Sequence, residues 1–235
     1  VIINLIKNKP DISIFVICPE LEKEQYAMEL LSVKSHVAIS AICNDSSVLK
    51  PLDWDKITLA KKSLHESNIQ ICDEYFLTME FFTKIETLKE YSTVDLVIFD
   101  KADFMIAEKG RKRFQSYKEL VACRLNEKDE NCNKSLRTKE DYMAFVLKSI
   151  PCILNIPTVA IAYDNPYDTM EGIINSLNGY ASTVIKIGTQ RESYSVGAID
   201  IHVTKNKHGQ TGKARMCYTD EYLHFGSLDI EADTL

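Results

Sequence analysis

Four places in this sequence put polar residues at the end of a segment that reads as a strand. Glu20 follows the run 12–18 (Ile-Ser-Ile-Phe-Val-Ile-Cys), and Asp100 closes the run 94–99 (Val-Asp-Leu-Val-Ile-Phe). Tyr163 and Asp164 follow 158–162, and Lys205 and Lys207 follow 198–204. An acid ending an apolar strand is the form that holds Mg²⁺, directly or through water, beside nucleotide phosphates. A second acid on a neighbouring strand end can orient and deprotonate a water. The plainer alternative is that an Asp ending a strand only caps the next turn.

Such residues act together only if the strands carrying them run parallel and end on one side. The runs 12–18, 69–72, 94–99 and 158–162 are apolar or nearly so, and amphipathic segments separate them. The segment 21–32 carries Leu21, Met28 and Leu31, and 53–66 opens on Asp53 as a helix cap. Thr78 caps a predicted helix over 79–90, and another is predicted over 139–154. Helices alternating with buried strands predict a parallel sheet covered on both faces. Segments 183–187, 198–204 and 213–218 read as strands, with a turn at Gly209 to Gly212. They predict an antiparallel addition at one edge.

Composition narrows the class. The 235 residues are 45% hydrophobic and carry a net charge of -6, ordinary for one globular domain. An acidic chain meets nucleic acid only through a local patch. Lys109, Arg111, Lys112 and Arg113 form one, inside a polar stretch 106–138 that also reads as a solvated insertion because Glu127, Asp129 and Glu130 dilute its charge. Seven scattered cysteines with no CxxC spacing argue against zinc and for a reduced, cytoplasmic protein. His202, His208 and His224 read as structural, and Trp54 and Tyr91 as packing residues. Neither a signal peptide nor an apolar stretch of membrane-spanning length is present.

One pattern is more specific. Residues 203–212 read Val-Thr-Lys-Asn-Lys-His-Gly-Gln-Thr-Gly, then Lys-Ala-Arg-Met-Cys-Tyr, then Tyr222-Leu-His-Phe225 after a short turn. This resembles the end of DnaB-type replicative helicases: a strand, a Lys-x-Arg-x-Gly-x-x-Gly turn, a return strand and a final aromatic. Ile14 to Gln25 is similar to that family's strand and Ser-Leu-Glu-Met-x-x-Glu-Gln motif. Asp53-Trp54 and Ile69 to Asp73 resemble its next helix and strand. Val94 to Met105 resembles its Val-Asp-Leu-Ile-x-Ile-Asp-Tyr-Leu-Gln-Leu-Met, and 154–161 its Leu-Asn-Val-Pro-Val-Ile-Ala-Leu.

The resemblance spans about residues 4 to 226. It implies a RecA-like P-loop NTPase fold of class α/β: a mostly parallel sheet with helices on both faces and a C-terminal antiparallel hairpin. One such core over 1–235 is expected, with 106–138 as an insertion. The resemblance implies ATP and Mg²⁺ as cofactors, with Glu20 activating water and Asp100 associated with Mg²⁺. Tyr163 falls at the nucleotide-sensing position, and Lys205 and Lys207 at the groups that reach a neighbour's phosphate. It also implies a ring hexamer, single-stranded DNA held by the basic cluster, a primase or loader as partner, and no membrane.

The departures weaken the same chemistry. The family's Gly-x-x-x-x-Gly-Lys-[Ser/Thr] loop is expected before Val1, where the sequence already reads as mid-helix. Tyr163 stands where the family has Gln, and a phenol does not reproduce an amide that both donates and accepts. Lys207 stands where it has Arg, a point charge in place of a planar fork. No Asp-Leu-Arg-x-Ser-Gly segment occurs between Asp168 and Ser182. The alternative expectation is therefore a degenerate paralogue without ATPase activity that binds DNA or a helicase partner.

Overall fold

A computed structural model describes residues 1–43, 48–74, 87, 93–100, 147–148, 151, 155–162, 179, 181–189, 198–219 and 224–227. They belong to two compact units, Val1–Tyr26 with His65–Tyr180 and Ala27–Leu64 with Ala181–Leu235. The predicted helices 79–90 and 139–154, the Thr78 cap and the stretch 106–138 lie outside the described residues.

The first unit opens with helix α1 (Ile2–Asn8), which buries Ile2 and Ile6, and is built on a parallel sheet. Its strands are β1 (Ser13–Ile17), β2 (Asn68–Cys72), β3 (Leu96–Phe99) and β4 (Thr158–Ala160), in the order β2-β1-β3-β4. All three pairings are parallel. The apolar runs decide which strands are central. Every residue of β1 and β3 is buried, and Ile14, Val16 and Val97 have no exposed surface. Each such side chain contributes about 1.5–3 kcal/mol by leaving water. β2 alternates exposed and half-buried positions, and β4 is largely exposed, as edge strands are. Asp95 fixes the start of the β1–β3 ladder twice. Its carboxylate accepts from the Ser13 N–H at 3.0 Å, and its own N–H donates to the Ser13 carbonyl at 2.9 Å.

Helix α2 (Lys23–Ser35) follows β1 and differs from its predicted stripe. Leu21 precedes the helix and Met28 is exposed; the buried positions are Tyr26, Ser32 and Ser35. The serines are buried because they close the helix. Ser32 Oγ donates to the Val37 carbonyl at 2.7 Å, and Ser35 Oγ accepts from the Val37 N–H at 3.3 Å. His36 takes the left-handed position (φ 54) usually given to glycine, and its N–H reaches the Ser32 carbonyl at 2.9 Å. At the other end the Lys23 N–H donates to the Asp73 carboxylate at 3.1 Å, a cap supplied from just past β2.

A short helix α3 (Ile39–Cys43), not foreseen from the sequence, leads towards α4 (Pro51–His65). Asp53 is the third residue of α4 rather than its cap. Its carboxylate reaches back to the Lys50 N–H at 3.1 Å, the acid half of a capping box, while Pro51 takes the first helical position. Proline suits that position because the N–H it lacks has no helical partner there.

The second unit holds an antiparallel sheet of its own, ordered β5-β6-β7-β8. The strands are β5 (Thr183–Thr189), β6 (Ala198–Asn206), β7 (Gly212–Thr219) and β8 (His224–Ser227). The expected hairpin is β6–β7. Across it Arg215 grips Asp200, Nε to Oδ1 at 2.7 Å and Nη2 to Oδ2 at 3.3 Å.

Three outcomes follow. Ser32→Ala leaves the buried Val37 carbonyl without its donor and costs about 1–3 kcal/mol in urea unfolding. Asp73→Ala removes the α2 cap and costs about 1 kcal/mol in the same measurement. Asp200 is held below the ordinary aspartate range, first by its hydrogen bonds from Arg215. Its stabilising contribution is therefore present above that range and is lost as pH falls through the depressed value. Carboxyl-carbon NMR should show Asp200 titrating at higher pH in Arg215→Gln.

Candidate functional site

The register of the parallel sheet sets the geometry of the first candidate site. Ile17 pairs with both Cys72 and Phe99, and Phe99 pairs with Ala160. The next residues along, Cys18, Asp73, Asp100 and Ile161, therefore lie in one row beyond the strand ends. The ladder runs into that row. Cys18 N–H donates to Cys72, Asp100 N–H to Ile17 and Ile161 N–H to Phe99, at 2.8 to 2.9 Å. With strands about 4.8 Å apart, the Asp73 and Asp100 backbones stand about 10 Å apart on either side of Cys18.

Glu20 follows Cys18 in an exposed turn after β1, closed by the Leu21 N–H to the Cys18 carbonyl at 3.3 Å. Asp100 is half-buried, with its Oδ1 shielded from solvent. The chain leaves β1 towards β2 on one side, whereas β3 is followed by β4 on the other. β1 and β3 thus flank the point where the connections diverge, the place where open parallel sheets form a ligand crevice. Glu20 and Asp100 are the carboxylates on its two sides.

These donors fit a Mg²⁺–phosphate group. Magnesium takes one or two carboxylates and fills its other positions with water and phosphate oxygen. Among the described residues no group of three or more His, Cys, Asp or Glu side chains forms a cage that would hold an ion by itself. Asp100 is the carboxylate of this edge that could hold such an ion.

Lys205 and Lys207 belong to the second unit. The Asn206 side chain staples the tip of the β6–β7 hairpin, accepting from His208 N–H at 3.2 Å and donating to the Gln210 carbonyl at 3.3 Å. A β-carbon on Gly209 would stand 2.8 Å from Asn206 Nδ2, so the staple requires glycine there. Lys207 N–H donates to the Ser182 carbonyl at 2.9 Å, which ties the turn to the start of β5. Its side chain is exposed, while Lys205 is half-buried in β6.

Tyr163, Asp164, Tyr91 and the cluster Lys109, Arg111, Lys112 and Arg113 lie outside the described residues. Trp54, read as a packing residue, is 50% exposed on α4. The residue that the sequence reading passed over is Asp73. It ends an apolar strand as Asp100 does, but the strand alternates and so gave a weaker signal.

Comparison with known proteins places this geometry. The profile of the DnaB-like helicase C terminal domain family matches residues 1–125. Among solved structures, the chain is similar to a DnaB-like replicative helicase studied in its interactions with primase. The TM-score is 0.68 at 14% identity, over 94% of this chain and 53% of that one. It is similar also to a second solved structure, an isolated ATPase domain, with a TM-score of 0.70 at 16% identity, over 94% of this chain and 76% of that one. The chain thus spans about half the length of the first of these. No curated protein sequence matches it. The likeness carries the fold, a RecA-like α/β architecture with a parallel sheet and C-terminal antiparallel strands. The profile covers more than half of the 235 residues, and on that match the chain belongs to the DnaB-like helicase C-terminal domain family.

Proposed function

We propose that this chain is the motor portion of a ring-forming replicative DNA helicase subunit, one that couples ATP hydrolysis to the unwinding of duplex DNA. The observation that carries this reading is the placement of Glu20 and Asp100 on the two sides of the β1–β3 switch point. In this reading Glu20 accepts a proton from the attacking water, and Asp100 orients the Mg²⁺ partner. Mg²⁺ supplies charge neutralisation at the phosphates when bound. Tyr163 takes the family's nucleotide-sensing role in the same reading. Lys207, with Lys205 behind it, reaches across a subunit interface towards the neighbour's terminal phosphate.

The hairpin geometry supports a positioning role for Lys207. Its backbone is held at both sides, by the Asn206 staple and by Ser182, so only the side chain needs ordering when a neighbour docks. The subunits form a hexamer around single-stranded DNA. Lys109, Arg111, Lys112 and Arg113 contact its phosphates without reading sequence. A primase or a loader completes the set of partners. The single core over 1–235 with its 106–138 insertion belongs to the same proposal.

A second reading is a degenerate paralogue that binds DNA or a helicase partner and hydrolyses nothing. Lys in place of the family's Arg at 207, and Tyr in place of Gln at 163, favour it.

One experiment separates the two: ATP turnover by the full-length gene product with and without single-stranded DNA. Under the first reading DNA stimulates turnover, and Glu20→Gln lowers it by about 10²-fold or more while nucleotide still binds. Asp100→Asn should instead weaken Mg²⁺-dependent nucleotide binding. A wild-type rate at background, unchanged in Glu20→Gln, overturns the first reading in favour of the second.

A further inference from the structure

The chain as a whole has a net charge of -6, but its antiparallel sheet does not share that sign. The described residues of β5, β6, β7 and the turn between β6 and β7 carry Lys186, Lys205, Lys207, Lys213 and Arg215 against Asp200 alone. How these cations are distributed depends on register. Lys186 pairs with His202, and His202 pairs with Lys213. Directly paired residues point to the same face, so the three form one row across three strands. Gly188, Asp200 and Arg215 form the next row.

A register shift adds another cation. Ile185 pairs with Val203 but Val184 pairs with Lys205, leaving Thr204 as the extra residue of a bulge, its hydroxyl donating to the Val184 carbonyl at 3.4 Å. Val184 faces the same way as Lys186, so the bulge turns Lys205 onto the basic face and away from that of Ile201 and Val203. Lys186 and Lys213 are exposed and have no ion-pair partner among the described residues. Asp200 is taken up by Arg215. Lys186 and Lys213 stand two strands apart with His202 between them, so they share a face without facing each other directly.

We propose that the Lys186–His202–Lys213 row of this face docks on the phosphate backbone of duplex DNA, a contact distinct from the single-stranded DNA contacts proposed above, while Lys205 on the same face keeps its proposed role towards the neighbour's terminal phosphate. Charge complementarity selects a polyanion, and the shape of the face selects a duplex. The backbones of Lys186 and Lys213 stand about 10 Å apart across the strands, a span comparable with a groove of B-DNA. On β5, β6 and β7 the described residues of this face include no aromatic ring besides the His202 imidazole. Non-specific single-strand sites combine cations with aromatic stacking platforms, and this face lacks them. The inference rests on the sheet alone and does not require ATP turnover.

The test is binding of the full-length protein, without nucleotide, to a random-sequence duplex and to single-stranded DNA of the same length across a salt series. The variants are Lys186→Glu with Lys213→Glu, the milder Lys186→Gln with Lys213→Gln, and Lys186→Arg with Lys213→Arg. Thermal melting checks their folding, and the Gln pair decides if the Glu pair fails to fold. The expected result is duplex affinity about tenfold or more weaker in the Glu or Gln pair, retained in the Arg pair, with single-strand affinity unchanged. The slope of log affinity against log salt for the duplex should flatten by about 2, one for each lysine. Unchanged duplex affinity overturns the proposal. So does an equal or larger loss on single-stranded DNA, which would assign the face to the single strand. Loss of ATP turnover in Glu20→Gln leaves the proposal untouched, so its failure is distinct from that of the functional reading.

Discussion

The parallel ladder between β1 and β3 is the constraint on which the rest of the first unit depends. Both strands are buried along their whole length, so their peptide groups have no water to turn to and must be satisfied by in-register neighbours. That requirement fixes the direction and level of every strand beside them. It brings the carboxyl ends of all four strands to one edge, and it extends through the amides of Cys18, Asp100 and Ile161 into the first residues past the sheet. Asp100 is held at that edge by the ladder, through its N–H to the Ile17 carbonyl, whereas the turn that carries Glu20 is closed locally. Asp95 locks the opposite end by tying side chain and backbone to Ser13, so a one-residue slip would break two bonds at once.

The second unit solves a different problem by different means. Its sheet is antiparallel and largely exposed, and its precision lies in a bulge and a turn. Thr204 absorbs one extra residue and re-aims Lys205, while Asn206 and Gly209 close the turn that carries Lys207. Two lysines only two positions apart are therefore set by separate devices. Edge strand β5 leaves Ile185 and Ile187 more than half exposed, and Lys186 between them is the charge that discourages another strand from pairing there.

Helix ends show how local and tertiary chemistry divide the work. α4 begins with a signal wholly within the chain segment, Pro51 and the reach-back of Asp53. α2 begins on Asp73, fifty positions away, and ends on a set of serine bonds that stand in for glycine. Asp73 thus serves the helix after β1 from the end of β2, and joins two strand ends of the candidate site through that helix.

What the sequence determined by itself was the layering and the identity of the central strands. Nearly continuous apolar runs at 12–18 and 94–99 predict burial on both faces, and β1 and β3 are buried throughout. Glu20 and Asp100 were legible for the same reason, since each follows such a run; Lys205 and Lys207 were legible through the motif around Gly209 to Gly212, and Lys205 lies within β6 rather than after it. The amphipathic reading of 21–32 failed because Ser32 and Ser35 are buried by hydrogen bonds, which hydropathy does not register. Asp53 was seen but misplaced, because Pro51 can open a helix two residues earlier. Only the tertiary structure decided that β1 lies between β2 and β3, which puts the switch point of the sheet between β1 and β3. It alone showed that Asp73 caps α2 and that a bulge gathers Lys186, His202, Lys205 and Lys213 on one face. Strand order, distant caps and register depend on residues far apart in the chain, and no local window of sequence contains both partners.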